Sequence, residues 1–320
     1  MDDFPEIIGQ KKVKGQLNFF LEGFRQNGIV RPFIIISPKG MGKTTLARAF
    51  KNRLSLSGGT TKKFVKINSA SIISESQFFD QVVSQYVSPG AKITFFFDEA
   101  SELPKQVQKL LLTILDNQDT RNSYTFSNGQ TVDFDLQDIT WIFATNQPQK
   151  VLHDLMDRLE KVTLEDYTNE QLCHILDESI RKDLTGFVIG DEEVWKNLLI
   201  DAVSTCRGNP RLAFKLGKNI AVRIRSLGAD CFHLGDWIQL RTDLNIHPMG
   251  LDENDIRILK AISEYPMGIT LTALAGKVGM TTQAVRENGE TFLMKMGLIR
   301  IDGKRMITQK GRDYLERLNG

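Results

Sequence analysis

Phe33-Ile34-Ile35-Ile36 is an unbroken apolar run entered through Arg31-Pro32. It stops at Ser37-Pro38-Lys39-Gly40-Met41-Gly42-Lys43-Thr44, and a helical pattern, Thr45-Leu46-Ala47-Arg48-Ala49-Phe50, follows without a gap. Strand, glycine-bearing loop and helix start in that order place the loop at the positive end of a helix. Backbone N–H groups from Gly40 to Thr44 then have the direction needed to wrap a phosphate, and the glycines let it approach the backbone. Gly40, Met41, Gly42, Lys43, Thr44 and Thr45 are therefore the candidate nucleotide cradle. In a loop of this kind the lysine reaches the β- and γ-phosphates and the hydroxyl after it takes one Mg²⁺ position, here Lys43 and Thr44. The usual pattern opens with glycine, and this chain has Ser37 there.

A second apolar run, Ile93-Thr94-Phe95-Phe96-Phe97, ends in Asp98-Glu99. Carboxylates at the C-terminal end of a parallel strand sit where such sheets bind ligands. Asp98 is the candidate partner of Mg²⁺, and Glu99 the group that polarises an attacking water. The third run, Ile139-Thr140-Trp141-Ile142-Phe143-Ala144-Thr145, ends in Asn146, whose amide has the reach to meet a γ-phosphate or that water.

Three such strands within 320 residues imply an α/β domain with room for others, since 41% of the chain is apolar. The longest apolar runs fall far short of the roughly 18 residues of a spanning helix. The amino terminus, Met1-Asp2-Asp3-Phe4-Pro5, has no apolar signal core, so a cytoplasmic location is expected. Cys173, Cys206 and Cys231 are scattered without metal-ligand spacing and read as reduced thiols. The net charge of +2 conceals segregation: thirteen Lys and Arg face one Glu between Lys11 and Lys66, and eight acids face three bases between Phe97 and Asp138. A basic run is either a solvated helix face or a surface toward polyphosphate, and part of this one surrounds the phosphate loop.

Phosphate loop, Asp-Glu pair and strand-ending Asn, in that order, resemble the AAA+ ATPases, and within them the RuvB branch-migration motors. The similarity runs over nearly the whole chain. Ile7-Ile8-Gly9-Gln10 resembles the segment that lies against adenine, which places Ile8 there. Leu155-Met156-Asp157-Arg158-Leu159 resembles the arginine-finger element, with Met156 where the family has its first arginine. The resemblance makes Asn146 sensor 1 and Arg158 a finger reaching into a neighbouring subunit, which implies a ring, expected to be hexameric. Arg207-Gly208-Asn209-Pro210-Arg211-Leu212-Ala213 resembles the sensor 2 motif, so Arg211 would contact nucleotide within its own chain. By residue chemistry alone, Arg158 reads first as a surface ion-pair partner and Arg211 as a helix-start arginine.

Tyr124-Thr125-Phe126 and Thr131-Val132-Asp133-Phe134 flank Ser127-Asn128-Gly129-Gln130, a hairpin pattern. The resemblance places the docking of a RuvA-like junction-binding protein here. The tip is polar, so DNA and another subunit stand beside that partner. After Leu164 four amphipathic segments, Glu170 to Lys182, Asp191 to Thr205, Pro210 to Leu227 and Asp236 to Leu244, read as a helical lid. A linker with His247-Pro248-Met249-Gly250 precedes helices from Asp252 to Glu264, Leu271 to Val278 and Thr281 to Met296. A hairpin turning at Asp302-Gly303-Lys304 closes the pattern of a winged helix, a module found on DNA and also in protein docking. Six bases against Asp302 between Lys295 and Arg312 suit phosphate-backbone contact, with Arg300, Lys304 and Arg305 as candidates. Glu287 and Glu290 on the third helix argue against base reading.

The expected architecture is an AAA+ P-loop αβα sandwich (1–165), a helical lid (166–245) and a winged-helix domain (246–320). The expected activity is ATP hydrolysis, with Mg²⁺, driving movement of double-stranded or branched DNA in an oligomeric ring. The alternative from another class is an AAA+ loader that uses ATP as a switch to place a second protein on DNA.

Overall fold

The apolar runs become strands whose successive residues point to opposite faces of one sheet. The computed structural model describes residues 4–54, 61–116, 120–184, 191–228 and 232–319; Cys231 and Asp119 lie outside them. The chain divides into two compact units, Met1–Gln171 and Leu172–Gly320. In the first, β1 (Phe33–Ile36), β2 (Lys63–Asn68), β3 (Ile93–Asp98), β6 (Ile139–Thr145) and β7 (Glu160–Thr163) form a parallel sheet in the order β2-β3-β6-β1-β7. Between β3 and β6 stand β4 (Arg121–Thr125) and β5 (Thr131–Asp135), an antiparallel hairpin.

Both faces of the sheet are covered, as its continuous apolar strands require. Ile34, Phe95, Phe97, Trp141 and Phe143 belong to the core on one side, and Phe33, Ile35, Phe96, Ile142 and Ala144 to the core on the other. The first side is closed by the helical segment α3 (75–86) and by α4 (Lys105–Ile114), α5 (His153–Arg158) and the hairpin. The second is closed by α1 (Lys11–Asn27) and α2 (Lys43–Asn52). The result is the αβα sandwich expected for the first domain. Phe97 is its aromatic centre, stacked on Trp141 at 5.9 Å and on Phe143 at 5.2 Å between ring centroids.

The second unit contains the helices α6 (Asn169–Asp183), whose first turn still belongs to the first unit, α7 (Glu192–Ser204), α8 (Pro210–Leu227) and α9 (Leu234–Asp243). Asp191 and Asn209 cap α7 and α8 through their side chains. Cys206 is buried behind α7, and burial pushes its thiol to about 12, which makes it inert. The same unit holds the winged helix: α10 (Glu253–Ser263), α11 (Leu271–Val278), α12 (282–295), β8 (Ile299–Asp302), β9 (Lys304–Ile307) and α13 (Gln309–Asn319). α12 carries a π-helical stretch, Val285–Glu290, whose hydrogen bonds span five residues where an α-helix spans four. It gathers Gly289 against α10, where an added Cβ would stand 2.5 Å from Ile258 Cδ1.

Candidate functional site

β1, β3 and β6 end level with one another. Ile36 is in register with Thr145, and Phe97 with Phe143, so Ser37, Asp98 and Asn146 emerge along one edge of the sheet. This gathers the phosphate loop, the acidic pair and the terminal Asn, which are remote in sequence, at the edge where parallel sheets bind ligands.

The loop runs from Ser37 to the first turn of α2. Gly40 and Gly42 have φ of +88° and +95°, outside the range that side chains tolerate, and Gly42 is the N-cap of α2. Among the described residues no side chain caps the helix there, so its first N–H groups remain directed at the loop. Ser37 is buried and is not in the left-handed region, so its side chain costs the turn no backbone strain. Lys43 Nζ donates to the carbonyl oxygens of Ser37 (2.8 Å) and Pro38 (3.0 Å), folding its ammonium over the loop. Met41 is buried, Thr44 half-buried and Thr45 exposed.

The acidic pair is held by two lysines that single-residue reading did not select. Lys66 Nζ, from β2, lies 2.8 Å from Asp98, and Lys39 Nζ, from the loop itself, lies 3.8 Å from Glu99. Lys66 is legible in retrospect, because β2 alternates and its partner strand pairs Asn68 with Asp98. Glu99 has φ +56°, uncommon for a non-glycine residue and a feature that strained functional positions share. Asn146 is half-buried just past β6, and Thr145 Oγ1 accepts from the Gln147 N–H to turn the chain there.

The segment before α1 is pinned to the same edge. Gln10 is buried at φ +55°, and its amide makes a two-point contact with Glu165: Nε2 donates to the Glu165 carbonyl (2.7 Å) while Oε1 accepts from its N–H (2.9 Å). Ile8 is thereby held half-buried ahead of α1. Tyr167, which no sequence pattern marks, stands over the loop with its hydroxyl donating to Met41 O at 3.5 Å and 3.8 Å from the position a Gly42 Cβ would take. Burial raises the pKa of that hydroxyl and keeps it a donor.

Arg158 ends α5 away from the loop. Its Nη1 donates to Leu112 O (2.7 Å) and pairs with Asp116 (3.2 Å), so on this chain it makes the ion-pair contact that residue chemistry alone allows. Arg211 is exposed in the first turn of α8, in the second unit, and its N–H donates to Asn209 Oδ1.

The winged helix forms as its pattern suggests, but one of the three basic candidates is corrected. Arg300 and Lys304 are exposed on β8 and β9. Arg305 is buried: β9 alternates, Ile307 faces the core, and Arg305 shares its face. Its Nη2 and Nε donate to Glu290 Oε1 at 2.9 and 3.2 Å. Arg305 is therefore an internal ion-pair partner and is not presented to DNA. Glu290 is likewise internal, which leaves Glu287 as the exposed acid of α12. The β4–β5 hairpin is also turned inward. Tyr124, Phe126, Val132 and Phe134 pack on the core, Ser127 N–H is held by Glu75 Oε1 (2.8 Å), and the outer residues Ser123, Thr125, Thr131 and Asp133 are polar.

Comparison with known proteins agrees with this layout at both ends. The family model for the ATPase family associated with various cellular activities (AAA) matches residues 33–167, and the RuvB C-terminal winged helix domain matches residues 248–316. The Holliday junction branch migration complex subunit RuvB of Thermotoga maritima is 27% identical over 322 residues, covering 97% of this chain and 90% of its own. The protein of that description from Leuconostoc mesenteroides is 25% identical, with 97% and 85% covered. A solved structure of the Thermotoga maritima RuvB Holliday junction branch migration motor superposes with a TM-score of 0.76 at 25% identity, covering 99% of this chain and 97% of that one. Among the described residues no helix is long and apolar enough to cross a membrane. The chain thus carries an AAA ATPase domain at residues 33–167 and a RuvB C-terminal winged helix domain at 248–316, and is similar to the RuvB proteins over 97% of its length.

Proposed function

We propose that this chain is an ATP-driven DNA motor that works as an oligomeric ring and drives branch migration of four-way junctions. The observation that carries the reading is the coincidence of an intact hydrolytic set, Lys43, Thr44, Asp98 and Glu99, at one sheet edge with RuvB similarity running from end to end. We divide it into an ATPase domain (1–165), a lid (166–245) and a winged-helix domain (246–320).

In this reading Lys43 leaves the Ser37 and Pro38 carbonyls and meets the β- and γ-phosphates of ATP, while the N–H groups of Gly40 to Thr44 hold the β-phosphate and Thr45 extends the cradle. Thr44 and Asp98 offer two hard oxygen donors of the kind Mg²⁺ takes, and the donor set fits that ion. When bound, Mg²⁺ would neutralise charge on the phosphate oxygens. Glu99 turns from Lys39 to accept a hydrogen bond from the attacking water, and Asn146 orients the same water or the γ-phosphate. Ile8 flanks adenine, and Arg211 contacts the nucleotide of its own chain.

Arg158 is poised for a neighbouring subunit. Its two contacts, one carbonyl and one half-exposed carboxylate, are weak enough to exchange for a γ-phosphate, whose developing charge it would steady. DNA meets the exposed Arg300 and Lys304, with Arg305 holding the wing from behind. The outer face of the hairpin being polar, a RuvA-like partner would have to engage it by hydrogen bonds, and branched DNA is the partner we favour for the assembled ring.

The test is purified protein with a synthetic four-way junction and ATP, followed by strand separation on a native gel with Lys43→Ala as control. ATP-dependent separation that Lys43→Ala abolishes supports the motor. Slow turnover with no junction movement, coupled to recruitment of another protein, would point to a loader instead.

A further inference from the structure

The lid and the winged helix belong to one compact unit, and one side chain joins them. Arg207 lies in the turn between α7 and α8, at φ +54°, a left-handed conformation that a non-glycine residue keeps only where its surroundings hold it. Its Nε donates to Gly250 O at 2.7 Å, in the linker ahead of the winged helix. Its Nη2 pairs with Asp255 and stands 3.3 Å from Asp252, the residues that form the capping box of α10. The guanidinium also lies 4.2 Å from the ring centroid of Phe292 on α12. One fork thus holds the linker, the first helix and the third helix of the winged-helix domain.

The backbone is equally close there. Gly250, at φ +73°, presses on the carbonyl of Thr205, and an added Cβ would lie 2.2 Å from that oxygen. Asp255 is fully buried, so its charge depends on Arg207 and on the Asp252 N–H, which donates to it at 3.0 Å. The linker is tied from its other end by Tyr314 of α13, whose hydroxyl donates to Pro248 O at 2.9 Å. On the lid side the turn is stiff: Asn209 N–H donates to Cys206 O (2.8 Å), Asn209 caps α8, and Pro210 follows. Only three residues lie between Arg207 and Arg211.

We propose that Arg207 is a positioning residue that locks the winged helix to the lid, so that a shift at the N-terminus of α8 turns both as one lever instead of being lost in the linker. The proposal deepens the motor reading and rests on it for its motor output alone. Contact with Arg207 ties the orientation of the DNA-facing wing to the turn that carries Arg211. A loose linker would let ATP turn over without moving DNA.

The test uses the full chain with Arg207→Met, Arg207→Lys and Phe292→Leu. Hydrogen exchange of residues 246–256 should rise roughly tenfold in Arg207→Met, with the amides of α7 and α8 unchanged. Arg207→Lys keeps the charge without the fork and should loosen the same segment. ATP hydrolysis without DNA should stay within about twofold, while ATP-driven separation of a four-way junction falls about tenfold or more, a coupling loss that simple destabilisation would not produce. Phe292→Leu, which removes only the ring, tests the same segment should Arg207→Met fail to fold. Unchanged exchange at 246–256, or full junction movement with a loosened linker, would overturn the proposal. If the wild type itself moves no junction, the motor reading fails, and the exchange experiment still decides the lock.

Discussion

Arg305 Nη2 and Nε converge on a single oxygen of Glu290, at 2.9 and 3.2 Å, in the interior of the winged helix, while Glu290 Oε2 has no hydrogen-bond partner among the described residues. The pair fastens the wing strand β9 to the π-helical stretch of α12. Removing one partner from such a pair leaves an uncompensated buried charge, at a cost of about 3–5 kcal/mol. Arg305→Ala should therefore lower the melting temperature of the protein strongly. Arg305→Met combined with Glu290→Leu should recover most of the loss, as a thermal-melt series would show.

DNA affinity should instead follow the exposed cations. Lys304→Ala and Arg300→Ala should leave the melting temperature nearly unchanged. Each should lower the slope of log binding constant against log salt by about 1, as expected for one lost phosphate contact. A fluorescence-anisotropy salt titration on duplex DNA measures it, and an unchanged slope for both variants would move the DNA surface elsewhere.

The hydrolytic assignments separate by their signatures. Lys43→Ala should lose nucleotide binding and turnover together. Glu99→Gln should bind ATP normally and lose turnover by about a hundred- to ten-thousandfold, because only the water's hydrogen-bond acceptor is weakened. Arg158→Ala should keep affinity and lose about a thousandfold or more in turnover. Mixing Arg158→Ala with Lys43→Ala subunits should restore part of the activity, since one chain would supply the site and its neighbour the arginine. ATPase assays with parallel nucleotide-binding titrations distinguish the three.

Much of the central sheet and its site was legible because β1, β3 and β6 are buried on both faces, and such strands appear as bare apolar runs ending in polar residues. β2 and β7 were not: β2 is an edge strand with a wet face whose lysines blend into the basic run, and β7 is a four-residue edge strand with one buried residue, Val162. α13 was missed because few of its residues are apolar, with Tyr314 and Leu315 supplying its buried face. Arg305 was misread because a charge count has no direction: the two-residue period from Ile307 decides which way the side chain points. Tyr167 had no signal at all, and the Gly9-Gln10 motif gave none of the Gln10 contact with Glu165, because both contacts join residues more than 120 positions apart.

Two loop substitutions separate backbone demand from sequence habit. Ser37→Gly should change ATP affinity by no more than about twofold, because Ser37 does not occupy a conformation that only glycine adopts. Gly42→Ala should abolish measurable binding, because φ +95° is disfavoured for any residue with a Cβ and α2 would have to shift its first turn. Calorimetric titration with a non-hydrolysable ATP analogue reads both, and a tenfold loss in Ser37→Gly would give the hydroxyl itself a role.

Lys62 supplies a pH dependence of stability that owes nothing to the nucleotide site. Its side chain is fully buried, with Nζ donating to Gln137 O (2.8 Å) and Thr140 Oγ1 (3.0 Å) and lying 5.4 Å from the Phe24 ring centroid. Burial, reinforced by Lys92 and opposed by Asp138 and Asp135, lowers its pKa from 10.5 to about 8. Between those two values the unfolded chain holds a proton that the folded chain has released, so this group makes stability rise with pH. Its penalty is fully present below about pH 8 and gone above about pH 10.5, a span of about 3 kcal/mol. The stability of wild type minus that of Lys62→Met, from urea unfolding at pH 7.5 and pH 9.5, should therefore increase at the higher pH. A difference that is flat or falls would mean that Lys62 stays protonated in the folded protein, held by its two oxygen partners.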